Sequence, residues 1–311
     1  MGDPAGVGPE LVARLCHDQE LRDRVDLVVV GREFLLSAGA MVCGLDPPEV
    51  ELVEVGQGAE IKPGQPSAQS GRQAGAFIEE AVRMCLDGQV QAMTTAPVSK
   101  EALRAGGYPD TGHTTMLGRL TGVKQPVMMM VGSKLRVALV TVHKALREVP
   151  GLITTESIVQ VGRVAHTDLQ RYLDMERPRL AVAALNPHAG EGGMFGDEEE
   201  RIIAPAVRQL QEMGVQVSGP HPPDTVFYHM LQGHYDLVIC MYHDQGLIPF
   251  KLRHFDRGVN VTLGLPLIRT SPDHGTAYDI AGQGKARPDS LKAAILTAAL
   301  MASRAASRKE T

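Results

Sequence analysis

The sequence predicts an α/β protein built on a mainly parallel sheet. Short apolar runs alternate with amphipathic stretches along the chain, the signature of strands and helices taken in turn. Several of those runs are rich in valine and lack polar alternation, as strands buried on both faces do. At 311 residues the chain is long enough for a large core and two α/β lobes.

The elements follow in order. A helix is expected over Gly8–Cys16, directly after the loop GDPAGVGPE, and a strand over Val25–Val30. A helix over Gly71–Leu86, a strand over Ala92–Thr95, a helix over Lys100–Ala105 and a strand over Leu135–Val142 come next. Thr154-Thr155-Glu156-Ser157 opens a helix over Thr154–Leu173 with hydroxyls suited to capping its first amides. A strand over Leu180–Leu185 precedes a helix over Glu198–Met213, where Asp197-Glu198-Glu199-Glu200 sets acids at the positive end of the helix dipole. Strands over Val215–Val217 and Leu237–Met241 and a helix over Ser290–Ala306 complete the pattern, and the polar tail from Ser303 is expected to fray. There is no internal repeat, no low-complexity segment and no compositional linker.

Composition narrows the function. The net charge is −5 with no long basic run, aromatics are 4% and tryptophan is absent. Nucleic acid and anionic membrane are therefore not expected as partners, whereas a small anion gathered by local cations is compatible. The start of the sequence lacks the basic and apolar regions of a signal peptide, and no apolar run is long enough to span a bilayer. Cys16, Cys43, Cys85 and Cys240 are scattered without a CxxC pair, which implies reduced thiols and a cytoplasmic address; Cys85 and Cys240 read as small buried hydrophobes.

Three strand patterns end alike. LRVALVTVH ends in His143, RLAVAALNPH in His188 and YDLVICMYH in His243. Open parallel sheets bind ligands outside the carboxyl ends of their strands, so three imidazoles delivered there could share one divalent ion such as Zn²⁺. A single histidine after a strand is more often a hydrogen-bonded structural residue; three in polar, Gly- or Pro-bearing turns weigh against that reading for the set.

Several loops have the composition of anion sites. GDPAGVGPE (Gly2–Glu10) and NPHAGEGGMFGDEE (Asn186–Glu199) are Gly-rich and precede helices, so their amides could ring an anion or simply form tight turns. TGHTTMLG offers His113, Thr114 and Thr115, and the segment from Phe250 to Ser271 carries Lys251, Asn260 and Arg269. Lys and Arg suit phosphate or carboxylate, although each alone reads more readily as a solvated surface charge. No GxGxxG occurs, so a dinucleotide would need another loop. The candidate is DHGTAYDIAGQGKARP, with His274, Gly275 and Asp279, for which an irregular surface loop is the competing reading.

Taken together, GDPAGVGPE, TTAPVSK, TGHTT, NPHAGEGGMFGDEE, PPDTVF, MYHDQGL, GVNVTLGLPLIRTSPDHGTA and DIAGQGKA resemble the 4-hydroxythreonine-4-phosphate dehydrogenase family of pyridoxal phosphate biosynthesis, from Gly2 to about Ala286. The resemblance implies a two-lobed isocitrate/isopropylmalate dehydrogenase-like fold with mainly parallel sheets and an active-site cleft between the lobes. One lobe would comprise residues 1–115 and 262–311, the other 116–261 with the metal histidines and dimer contacts. It implies NAD as cofactor, bound at His274, Gly275 and Asp279. It also implies a divalent metal (Zn, Co or Mg) on His143, His188 and His243, with the site shared across a homodimer. Substrate contacts fall on His113, Thr114, Lys251, Asn260 and Arg269, and catalytic roles on Asp224 and Lys251. Asp244 is expected to orient His243 from behind. The implied reaction is oxidation of 4-phosphooxy-L-threonine at C3, then decarboxylation to 3-amino-2-oxopropyl phosphate.

Two departures stand out. Family members carry a short apolar strand before GDPAG, whereas this sequence reaches that loop at Gly2; a chain extended upstream is expected to be more stable. Thr115 stands where the family commonly has Glu, which bears on substrate identity. The rival readings are oxidation of 4-phospho-D-threonate or 4-phospho-D-erythronate and, in a different class, a metal-dependent phosphatase. The choice of metal and of NAD against NADP is open at this level, although no basic cluster for a 2′-phosphate is evident.

Overall fold

The computed structural model describes residues 1–56 and 61–308. Its strands are β1 (Val28–Gly31), β2 (Glu51–Glu54), β3 (Ala92–Thr94), β4 (Val127–Val131), β5 (Arg136–Leu139), β6 (Leu180–Ala183), β7 (Val217–His221), β8 (Leu237–Cys240), β9 (Val259–Leu263) and β10 (Ile268–Pro272). The chain divides into two compact units, Met1–Pro126 with Leu265–Ala302, and Val127–Gly264 with the chain from Ser303. The α/β class and the mainly parallel pairing expected from the sequence are what the strands show.

The first unit holds the parallel pairs β1–β2 and β3–β10. Its helix Ala68–Leu86 starts at a reciprocal cap in which Ser67 and Ser70 each accept the other's backbone N–H at 3.1 Å. The helix Gly8–Cys16 buries Leu11 and Leu15 against Ala281 and Leu291, so the two ends of the sequence share one core.

The second unit orders its strands β9-β4-β5-β8-β6-β7. β4 runs antiparallel to both β5 and β9, while β5, β8, β6 and β7 are mutually parallel. Every residue of β6 and β8 is buried, which is why their sequences show no polar alternation. The helix Thr155–Leu173 is capped as its first residues imply: Ser157 N–H donates to Thr154 Oγ1 at 3.1 Å and Thr154 N–H to Ser157 Oγ at 3.0 Å.

The helix His243–His254 was not expected from the sequence. It contains Pro249 and is apolar on two sides, so it has no amphipathic period. Leu247 and Phe250 face the core, whereas Ile248, Leu252 and Phe255 remain 66%, 90% and 75% exposed. β4, a run of methionines after Pro126, and β10, interrupted by Arg269 and ended by Pro272, were also missed. β7 begins at Val217, where the expected strand ended. All four cysteines are free; Cys240 is buried as expected, but Cys85 is only half-buried.

Candidate active site

The parallel order β5-β8-β6-β7 fixes where the chemistry-bearing residues emerge. The chain leaves β5 toward His143, β8 toward His243, β6 toward His188 and β7 toward Asp224, so all four follow strand ends on one edge. Backbone pairing beyond the strands carries this order outward: Val140 N–H donates to Cys240 O at 2.9 Å and Thr141 N–H to Met241 O at 3.2 Å. Gln245, buried, clamps the edge from the first turn of its helix. Its Oε1 accepts Met241 N–H at 2.7 Å and its Nε2 donates to Ala184 O at 2.6 Å, tying the end of β8 to the end of β6.

Neighbouring strands lie about 4.8 Å apart, so residues at the ends of β5 and β8 can touch. The rings of His143 and His243 have centroids 5.6 Å apart and are tilted by 39°. Asp244 Oδ1 lies 2.7 Å from His243 Nδ1, the expected backing contact. A carboxylate on Nδ1 of His243 leaves its Nε2 as the lone-pair donor, and imidazole nitrogen is a ligand that suits a borderline divalent ion.

His188 stands apart from this pair: among the described residues no three His, Cys, Asp or Glu side chains form a group able to hold a metal. Its turn explains the separation. His188, Ala189, Gly190 and Glu191 all have positive φ, at 52°, 55°, 79° and 44°. Each non-glycine residue in that conformation costs roughly 1–2 kcal/mol, and such outliers gather at functional positions. His188 is exposed, and its Nδ1 meets Glu191 Oε2 at 3.2 Å.

Lys251 lies on the same helix as His243, eight residues on, a rise of about 12 Å. Its Nζ lies 6.0 Å from the ring centre of Phe255. Asn260, on β9, has a buried Oδ1 with no hydrogen-bond partner. Asp224 is exposed ahead of the helix Val226–Leu231.

The first unit carries the remaining residues. Arg269 is 2% exposed on β10 and donates from Nη2 to Thr95 Oγ1 at 2.7 Å. Burial lowers its pKa to about 9. His113 opens the helix His113–Thr121 after Gly112, and its Nε2 is buried without a hydrogen-bond partner. Burial, with the Arg269 charge nearby, holds its pKa well below 6.5. Thr114 is exposed beside it, while Thr115 Oγ1 accepts Thr111 N–H and donates to Gly112 O, both at 3.0 Å.

The two Gly-rich loops are filled by carboxylates of the chain itself. Asp3, fully buried, accepts Ala5 N–H at 2.9 Å and the Tyr278 hydroxyl at 2.6 Å. Burial and that contact push the Tyr278 hydroxyl up to about 12. Val7 N–H donates to Thr276 O at 3.0 Å and Gly284 N–H to Glu10 Oε2 at 3.0 Å, so the stretch with His274, Gly275 and Asp279, which forms no helix or strand, is anchored on this loop. His274, Gly275 and Asp279 themselves stay exposed.

The second loop is held by Glu199, which the sequence offered only as one acid in a helix-opening run. Its carboxylate is buried and accepts from Leu185 N, Asn186 N and Asn186 Nδ2. No pattern in the sequence separates it from Glu198 and Glu200; only the fold turns it inward.

Comparison with known proteins gives the family. Residues 23–298 match the family described as pyridoxal phosphate biosynthetic protein PdxA. The chain belongs to the PdxA family. A Geobacter metallireducens relative named 4-hydroxythreonine-4-phosphate dehydrogenase is 50% identical, covering 97% of this chain and 94% of its own. The crystal structure of a Klebsiella pneumoniae 4-hydroxythreonine-4-phosphate dehydrogenase matches with TM-score 0.89 at 40% identity, covering 97% and 96% of the two chains. A terephthalate 1,2-cis-dihydrodiol dehydrogenase from Burkholderia xenovorans LB400 matches at TM-score 0.68 and 29% identity, covering 96% of each chain. This PdxA-family chain is an enzyme, an oxidoreductase acting on CH–OH.

Proposed function

We propose that the chain oxidises 4-phosphooxy-L-threonine at C3 with NAD and a divalent metal, the product losing CO₂ to give 3-amino-2-oxopropyl phosphate for pyridoxal 5′-phosphate biosynthesis. The observation that carries this reading is the 50% identity, over 97% of the chain, to a relative named for that substrate.

The site residues divide the work. His143 and His243 would hold two positions of a divalent metal, with Asp244 fixing the His243 ring, and His188 of a second copy would supply the third. A metal there would lower the pKa of the substrate hydroxyl, and NAD would supply the hydride acceptor. Asp224 takes the hydroxyl proton. Arg269 and Lys251 hold the phosphate and carboxylate ends. The unpartnered Nε2 of His113 and Oδ1 of Asn260 meet polar groups of the substrate, as buried polar atoms require. Thr114 adds a hydroxyl beside His113. His274, Gly275 and Asp279 contact the cofactor. Fixing both substrate ends aligns C3 and is worth several kcal/mol, up to about 7–11 at ideal alignment.

A homodimer in the cytoplasm completes the reading. Ile248, Leu252 and Phe255 form an exposed apolar stripe at i, i+4 and i+7 on the helix that begins at His243, a surface that a second copy would cover. No helix among the described residues is long and apolar enough to cross a membrane.

The test is NADH formation with 4-phosphooxy-L-threonine and 4-phospho-D-threonate in parallel, with and without EDTA. EDTA-sensitive turnover of the amino acid alone supports the reading. Turnover of the threonate alone moves the chain to the rival substrate, which Thr115 favours because its hydroxyl is engaged within its own turn. Phosphate release without NAD would make it a phosphatase.

A further inference from the structure

We infer that Glu199 is a positioning residue for His188, its carboxylate strapping the left-handed turn that presents the imidazole. The inference rests on the reading of His188 as a metal ligand. Within the turn, Glu191 N–H reaches His188 O at 3.3 Å, Gly193 and Phe195 N–H reach Gly190 O at 3.0 and 3.2 Å, Met194 N–H reaches Glu191 O at 3.4 Å, and His188 Nδ1 meets Glu191 Oε2 at 3.2 Å. Its entry is held from outside: Glu199 Oε1 accepts Leu185 N–H and Asn186 N–H, each at 2.8 Å, and Oε2 accepts Asn186 Nδ2 at 3.0 Å. Asn186 Nδ2 also donates to Glu198 Oε2 at 2.7 Å. At the far side of the turn Gly190 lies so close that a Cβ there would stand 2.8 Å from Glu199 Oε2.

An acid serving only the helix dipole would face solvent, as Glu200 does. Glu199 is 3% exposed and sits on a π-helical turn, Glu199–Ile203, a feature found often at functional sites. All three of its donors are N–H groups, so only an acceptor on both oxygens satisfies them. A glutamine there would turn its Nε2 toward the Asn186 amide, and rotating that amide would set its oxygen against Glu198. Outer partners of metal ligands typically change metal affinity 10–100-fold when altered.

The experiment measures Zn²⁺ affinity of the purified full chain by chelator competition, and the visible spectrum with Co²⁺. The variants are Glu199→Gln, Gly190→Ala, His188→Ala and Leu169→Ala, the last a core control on the helix Thr155–Leu173. The expected result is a 10–100-fold weaker affinity for Glu199→Gln, with a Co²⁺ spectrum like that of His188→Ala. Leu169→Ala lowers the melting temperature but leaves Zn²⁺ affinity as in the wild type. If Glu199→Gln does not fold, Gly190→Ala carries the same expectation. Wild-type affinity in Glu199→Gln alongside a loss in His188→Ala overturns the inference alone, as does an equal loss in Leu169→Ala. Wild-type affinity in His188→Ala overturns the ligand reading of His188 and the inference with it.

Discussion

Asp244 Oδ1 lies 2.7 Å from His243 Nδ1, on the first turn of the helix that follows β8. The contact steadies the ring and, in the proposed site, would leave Nε2 to face a metal beside His143. Both partners are solvent-accessible, so the pair adds little to folding. Asp244→Asn is therefore expected to weaken Zn²⁺ binding about 10-fold or more while leaving the melting temperature nearly unchanged. Unaltered affinity in a chelator competition would show that the contact does not serve the metal.

The stripe Ile248–Leu252–Phe255 gives a second expectation. Leu252 is 90% exposed, so a charge there cannot disturb the core of its own chain. Leu252→Asp is expected to make the proposed homodimer monomeric with an unchanged circular dichroism spectrum. If the third ligand comes from the second copy, Zn²⁺ affinity falls as well. Light scattering on the variant decides the first point; a persistent dimer would place the interface elsewhere.

The site was legible where the sequence encodes periodicity and not where it encodes approach. The apolar runs before His143, His188 and His243 mark buried parallel strands, and their order brings all three to one edge. That His143 and His243 touch while His188 stands apart depends on strand neighbours and on a left-handed turn, which no local pattern specifies. The Gly-rich loops read equally as anion sites or tight turns, and in the fold carboxylates of the chain itself, Asp3 and Glu199, accept backbone N–H groups there. Arg269 alone reads as a surface charge, because a guanidinium breaks the apolar run of β10, yet the fold buries it. The helix carrying His243 escaped notice because Pro249 and apolar residues on opposite sides erase its period.

Acid sensitivity follows from His113. Its pKa is held well below 6.5 by burial and by Arg269, so the folded chain stays unprotonated there while the unfolded chain takes up a proton. Stability is thus full above the unfolded value and falls as pH drops below 6.5, at up to about 1.4 kcal/mol per pH unit for one such group. His113→Asn is expected to make that slope shallower. His166, His221 and His254 are lowered chiefly by burial too, so part of the slope persists. Denaturant melts over this range check it; an identical slope in His113→Asn would mean the ring is protonated in the fold.

Arg269 yields the sharpest expectation, because its two effects have opposite signs. A guanidinium keeps its proton at neutral pH even with its pKa lowered to about 9, so β10 carries a buried cation whose desolvation opposes folding. Thr95 Oγ1 takes one of its N–H groups at 2.7 Å. A phosphorylated ligand would add negative charge beside it, and at a concentration 100 times its Kd it would add about 2.7 kcal/mol to the folded state. Wild type is expected to melt higher with 4-phosphooxy-L-threonine or inorganic phosphate. Arg269→Met removes the buried charge at similar side-chain length, so it is expected to melt no lower than wild type without ligand and to show no ligand-dependent rise. Thermal melts of both proteins across a phosphate series read the two effects separately. A ligand-dependent rise retained in Arg269→Met would place the phosphate on other cations, and a large fall in its basal stability would make Arg269 a structural strut.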